Sequence, residues 1–246
     1  MINVLMKLLK MKIKCFASGS SGNFYTITGV REILFLEAGI SIKEIKKYMN
    51  FDFSKVCGLL CTHEHKDHSK AVKDVVKLGV DCWMSKGTQE ALEIEGHRIS
   101  IVKSKESRDI GEEWKVLFLE AQHDCNEPLS FCILNKISGK KLLFATDTYY
   151  FKFKIHELNY IMIEANYDID ILEKNIADGV VSESRRNRIV TSHFEISRVK
   201  EFFLANDCSK LESVILIHLS DDNSDEVEFK KQIESVVDCN VCIAEN

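Results

Sequence analysis

Proline is almost missing from these 246 residues: Pro128 is the only one. There is no Pro-, Gly- or Ser-rich stretch, no low-complexity tract and no repeat of fixed period, so nothing marks a flexible linker or a solenoid. The opening MINVLMKLLK is too short to span a bilayer or act as a full signal peptide. It reads as an N-terminal extension, residues 1–10, ahead of one domain over 11–246, and no membrane partner is expected. Basic charge is not in excess: 33 Lys and Arg face 38 Asp and Glu, for a net charge of -5. That excludes a chain that coats nucleic acid by bulk electrostatics, though not a local basic groove. Cysteine comes in an odd number, nine. Without a secretory signal these read as free thiols in a reducing cytoplasm, the Cys239-x-x-Cys242 pair included.

What is present is a core-forming composition, 45% apolar, with strand and helix signals in alternation. Short strands are expected at Lys12–Ala17, Asn23–Thr28 and Glu32–Leu36, with turns at Gly19–Gly22 and Gly29. Ser41–Met49 has helical spacing with Ser41 as its N-cap. Val56–Cys61 is a continuous apolar run, as in a strand buried on both faces. A helix over Ala71–Leu78 follows, stopped by Gly79. Further strands are expected at Cys82–Met84, Ile99–Lys103, Val116–Leu119, Phe131–Asn135, Leu142–Ala145, Tyr160–Ile163, Ile189–Thr191, Val214–Ile217 and Val241–Ala244. Further helices are expected at Thr88–Ile94, Ile169–Asn175, Ile196–Ala205 and Glu226–Val236. Strands dominate, with helices interspersed and late, which suggests an α/β chain folded as an αββα sandwich.

The most informative stretch is LLCTHEHKDHSK, Leu59 to Lys70. His63 and His65 are two apart, a spacing that suits an extended segment or loop and not one face of a helix. The zinc-protease pattern H-E-x-x-H fails, because Asp67 stands where its second histidine would be. A buried strand therefore ends in a loop carrying His63, His65, Asp67 and His68. Imidazole nitrogens and a carboxylate suit zinc, manganese or iron, and the lack of cysteine donors argues against a purely structural zinc. Three more metal-capable residues follow expected strands: His123, Asp147 and His218. Five of the eight histidines fall at these positions.

The pattern His63-x-His65-x-Asp67-His68, then His123, Asp147 and His218, resembles the metallo-β-lactamase superfamily. ASGSSGN (Ala17–Asn23), ATDTYY (Ala145–Tyr150), IEANYD (Ile163–Asp168) and HLSDDN (His218–Asn223) further resemble its YycJ/WalJ branch, relatives of ribonuclease Z. The resemblance covers Met11 to the C-terminus. It implies two divalent ions, zinc or manganese. One would be held by His63, His65 and His123, the other by Asp67, His68 and His218, with Asp147 between them. Asp67 counts among the catalytic residues as well as the ligands. His193 resembles the ribonuclease Z histidine that contacts phosphate and assists proton transfer to the leaving oxygen, the alternative being a helix-capping or core histidine. Glu164 is expected to orient it, or else to be a structural carboxylate. Many members of the superfamily have Asp where this chain has Glu37, whose longer side chain is expected to brace the metal loop.

The implied reaction is two-metal phosphodiester hydrolysis. The first expectation is a DNA exonuclease, directed at 5′ ends, in repair or replication. DNA is favoured over RNA or a nucleotide as partner. The alternatives are a cyclic-nucleotide or RNA phosphodiesterase of the ribonuclease Z type, and a metal-binding regulatory module without catalysis. Arg185, Arg186 and Arg188, with Lys140 and Lys141, could touch a phosphate backbone or form solvated faces. SGSSGN could present its amides and Ser20 or Ser21 to substrate, or be an ordinary hairpin.

Overall fold

A computed structural model describes residues 11–244. The chain separates into two compact units, residues up to 120 with 125–141, and residues 121–124 with 142–244. Its strands form two sheets, one of six strands and one of seven.

In the first unit β1 (Lys12–Ala17), β2 (Phe24–Thr28) and β3 (Ile33–Leu36) form an antiparallel meander. β4 (Val56–Leu60), β5 (Cys82–Met84) and β6 (Ile99–Ile101) continue it in parallel. Helices α1 (Ile42–Tyr48), α2 (Lys66–Ser69), α3 (Val72–Lys77) and α4 (Lys86–Ala91) lie between these strands in sequence. Phe24, Phe35, Leu59 and Cys82 from the sheet pack with Ile45 of α1 and Val72 and Val75 of α3 in one cluster. That burial explains the unbroken apolar run of β4, since a parallel strand covered by helices has no solvent face. Ser41 caps α1 as expected: its hydroxyl accepts from Glu44 N, and Glu44 returns a bond to the Ser41 backbone. The unit also holds the antiparallel strands β7 (Ser107–Ile110), β8 (Trp114–Glu120) and β9 (Leu129–Asn135).

The second unit is built on four parallel strands, β10 (Lys141–Ala145), β11 (Tyr160–Glu164), β12 (Ser213–Ile217) and β13 (Asn240–Ile243). Ala145 pairs with Ile163, and Ile163 with Leu216, so three strands reach their C-terminal ends in register. Helices α5 (Ile169–Ala177), α6 (Glu183–Ser192), α7 (Ile196–Ala205) and α8 (Glu226–Glu234) complete it.

Two expectations are corrected. Ile189–Thr191 is no strand but the last turn of α6, which begins at the Ser182 N-cap. Its three β-branched residues suggested extension. Ile189 instead gives a polar helix its apolar contact, packing with Tyr167, Leu172 and Val181. Strand β7, sequence SRDI, was not expected; it shows little apolar pattern because three of its four residues are exposed.

Candidate metal centre

The histidine loop of the first unit is held from below. Directly after β4, His63 is fully buried, and its Nδ1 lies 2.9 Å from Thr62 Oγ1. The His63 ring stands 4.7 Å from that of His65 and 4.3 Å from that of His68. Asp67 and His68 sit on the single turn of α2, and His68 Nε2 is 3.3 Å from Asp67 Oδ2.

Three residues from the preceding loops brace this turn. Asn23 gives both its backbone and side-chain N–H groups to the Asp67 carbonyl, at 2.7 and 3.1 Å. Its Nδ2 also lies 3.2 Å from His68 Nε2. Glu37 is fully buried at φ 62°. It accepts from Thr62 N at 3.3 Å and approaches His68 Nδ1 at 3.7 Å. Burial pushes its carboxyl above the usual range, against the pull of His68. Gly39 leaves the space the turn needs, for a Cβ there would stand 1.6 Å from the Asp67 carbonyl oxygen. Within SGSSGN, then, the working residue is Asn23; Ser20 and Ser21 are exposed, in the connection of the β1–β2 hairpin.

The second unit carries the other expected residues: Asp147, Glu164 and His218 at or just past the ends of its parallel strands, His123 after β8, and His193 at the C-cap of α6. Asp147 follows β10 at φ 46°, and His218 follows β12 at φ 54°. Left-handed backbone at non-glycine residues costs about 1–3 kcal/mol each and concentrates at functional sites. Asp147 Oδ1 is 3.1 Å from His218 Nδ1, while its Oδ2 is 3.6 Å from His123 Nε2. His123 Nδ1 donates to the Ser192 carbonyl at 2.8 Å. That bond occupies Nδ1 and leaves Nε2 as the nitrogen that could hold a metal ion. Asn166 secures His218, donating to its carbonyl at 2.9 Å.

Glu164, the last residue of β11 and fully buried, ties these pieces together. Its Oε1 receives His193 Nδ1 at 2.7 Å and lies 3.1 Å from His218 Nδ1. Its Oε2 accepts from Thr148 N at 3.0 Å and Phe194 N at 3.1 Å. Burial alone would depress the His193 imidazolium, but the Glu164 and Asp147 carboxylates hold its pKa above the ordinary value. Burial likewise opposes ionisation of Glu164, and the His193 charge reverses that, keeping its pKa low.

The donor chemistry fits divalent cations. Asp147, Glu164, His193 and His218 each offer a ligand atom within 4.8 Å of the others, and all are nitrogen or oxygen donors of the kind zinc and manganese accept. The arginine run, by contrast, is already paired. Arg186 bonds Glu173 at 2.6 Å, Arg188 bonds Asp124 at 2.7 Å, and Arg185 lies 3.8 Å from Asp222. These exposed pairs make a solvated face of α6. Asn23, Gly39 and Asn166 were not singled out from the sequence, since an amide or a glycine beside a motif carries no signal of what it braces.

The family model of the beta-lactamase superfamily domain matches residues 44–219, and the chain belongs to that family. It is a metal-dependent hydrolase by class. Its relatives include the exodeoxyribonuclease WalJ of Streptococcus pneumoniae serotype 2, 26% identical over 233 residues, covering 87% of this chain and 83% of that protein. The exodeoxyribonuclease YycJ of Bacillus anthracis is 26% identical over 225 residues, covering 85% and 82%. Among solved structures, the metallo-beta-lactamase fold protein YhfI from Bacillus subtilis superposes with a TM-score of 0.74 at 14% identity, over 96% of this chain and 97% of that one. Human tRNase Z, short form, gives 0.59 at 12% identity, over 95% and 96%. These likenesses establish the fold: mixed α/β, two sheets flanked by helices, the class expected from the sequence.

Proposed function

We propose that this chain is a two-metal phosphodiester hydrolase acting on DNA from a strand end, most closely a 5′-directed exonuclease. The observation that carries the reading is the posture of Asp147. Its two oxygens face two different imidazoles, His123 and His218, at 3.6 and 3.1 Å, which is what a carboxylate shared between two ions requires. Likeness to two exodeoxyribonucleases over more than four-fifths of their length supports DNA as the substrate.

The residues that would hold the ions are His63, His65 and His123 for one, Asp67, His68 and His218 for the other, and Asp147 for both. Bound there, a divalent pair supplies Lewis acidity toward the phosphoryl oxygens and toward the attacking water. The chain's own residues supply the rest. Asn23, Glu37 and Gly39 set the posture of Asp67 and His68. Glu164 anchors His193 through Nδ1, which leaves Nε2 as the end that can give a proton to the leaving oxygen. Against the effect of burial, the Glu164 and Asp147 carboxylates raise the pKa of His193, which favours retention of that proton.

A panel of 3′-labelled DNA, RNA and cyclic nucleotides, with manganese or zinc, tests the substrate. Shortening of DNA from the 5′ end is expected, and Asp147→Ala should remove most of it while far-ultraviolet circular dichroism stays native. Cleavage of RNA or cyclic nucleotides with DNA left intact would replace this reading.

A further inference from the structure

The second unit contains a cavity of about 410 Å³ beside the Asp147 and His193 segments. Its apolar lining is aromatic. Phe151, Phe194 and Phe202 are buried, and Tyr150 stands 55% exposed. Phe151 meets Phe153 and Phe202 edge-on at 5.6 and 5.8 Å, so the walls hold one another. Cations share the lining: Lys152, Lys154 and Arg198, against the single carboxylate of Glu201. In a chain of net charge -5, a pocket with two more cations than anions is a local exception.

The pocket is also wired to the candidate centre. Glu164 Oε2 accepts from Phe194 N and from Thr148 N, and Thr148 Oγ1 donates to the Tyr150 carbonyl at 2.8 Å. Arg198 donates to the Tyr149 carbonyl at 3.3 Å. One carboxylate thus fixes His193 and two approaches to the pocket. Phe194 directly follows His193, and Tyr150 is three residues past Asp147, at most about 11 Å along the chain.

We propose that this pocket is a subsite for an unpaired base of the DNA strand, next to the phosphodiester being cut. The base stacks on Tyr150 against the phenylalanine walls, and the lysines and Arg198 face the adjoining phosphates. Aromatic faces with interleaved cations are how single strands are held without regard to sequence, and a paired base could not enter an aromatic pocket without leaving its stack. The inference rests on the nuclease reading above and narrows it: the terminus is held as a single strand.

The test is a cycle between protein and substrate. Metal-loaded wild type and Tyr150→Ala are assayed on single-stranded DNA, on the same DNA with an abasic residue at each of the first three positions in turn, and on a nitrophenyl phosphodiester. Tyr150→Ala should lower kcat/KM for DNA, relative to the nitrophenyl ester, by about 5- to 150-fold, the range of one base–aromatic stack. One abasic position should produce a similar loss in wild type and little further loss in the variant. Tyr150→Phe should restore the ratio. If wild type degrades DNA and Tyr150→Ala does so equally well, the subsite is overturned and the nuclease reading stands. If wild type cleaves the ester but no DNA, both fall together. Equal losses on both substrates would mean that Tyr150 acts through the Thr148–Glu164 bonds, and would also overturn it. So would Tyr150-dependent self-association in sedimentation without a change on DNA, because the occupant would then be a second copy of the chain.

Discussion

His193 is the residue whose role is most open to measurement. Its Nδ1 is committed to Glu164 at 2.7 Å, so substitution by alanine removes the proposed proton donor and leaves the Glu164 bonds to Thr148 and Phe194 in place. His193→Ala should slow DNA hydrolysis by about 10²–10⁴-fold, the scale of a positioned acid. The deficit should shrink on a nitrophenyl phosphodiester, whose leaving group needs no proton. A lowered metal content in that variant would instead make His193 a ligand, consistent with its place within 4.8 Å of Asp147, Glu164 and His218 ligand atoms. Residue identity brought His63, His65, Asp67, His68, His123, Asp147 and His218 forward as candidates in the sequence, because donors crowd past the ends of apolar runs. Of the residues that brace them, Glu37 was legible and Asn23 and Gly39 were not. Asn23 acts through an amide on a carbonyl and Gly39 through an atom it lacks, and neither leaves a pattern in a single sequence.

Among the elements, α1 gives the cleanest local test. Ser41 and Glu44 bond each other's backbone in a capping box, so Ser41→Ala should destabilise the protein by about 1 kcal/mol, read as a shift in urea midpoint. The hydrogen bond from the Ser41 side chain, then that from its backbone, holds the Glu44 carboxyl below its ordinary pKa. A depressed carboxyl contributes stability above its unfolded pKa and loses it as pH falls through the folded value. The gap between wild type and variant should therefore narrow on acidification below about pH 4. Equal gaps at pH 7 and pH 3 would remove the capping box as the cause. Most elements were legible because burial wrote their period into the chain: β4 as an apolar run, α7 as an amphipathic stretch. The failures have local causes. α6 carries an Ile-Val-Thr turn that looks extended, and its helical start depends on the Ser182 cap. β7 presents three exposed polar residues along a hairpin, where no apolar face existed to be read.

At the scale of the whole molecule, seven proposed donors are too many for one tetrahedral ion. Reconstituted protein should approach two ions per chain by elemental analysis, and saturation at one would remove the two-metal reading. Ions bound only by the folded chain stabilise it by mass action. Removing them with chelator should lower Tm, and adding manganese or zinc should restore it. Among the described residues no helix is long and apolar enough to cross a membrane. Among the described residues no cysteine is in a disulfide.

The parallel strands β10, β11 and β12 end in register and set Asp147, Glu164 and His218 at or just past those ends. Inserting or deleting one residue within any of these strands would turn its side chains to the opposite face and misplace the residue that follows. The stretch between β10 and β11, which carries Tyr150 to Lys154, is under no such rule, because a connection can change length while the strands keep their pairing. Natural variation can therefore reshape the proposed base subsite without touching the residues proposed to carry the hydrolysis. A chimera that exchanged residues 149–158 with a relative should inherit that relative's taste in substrates and keep its own chemistry.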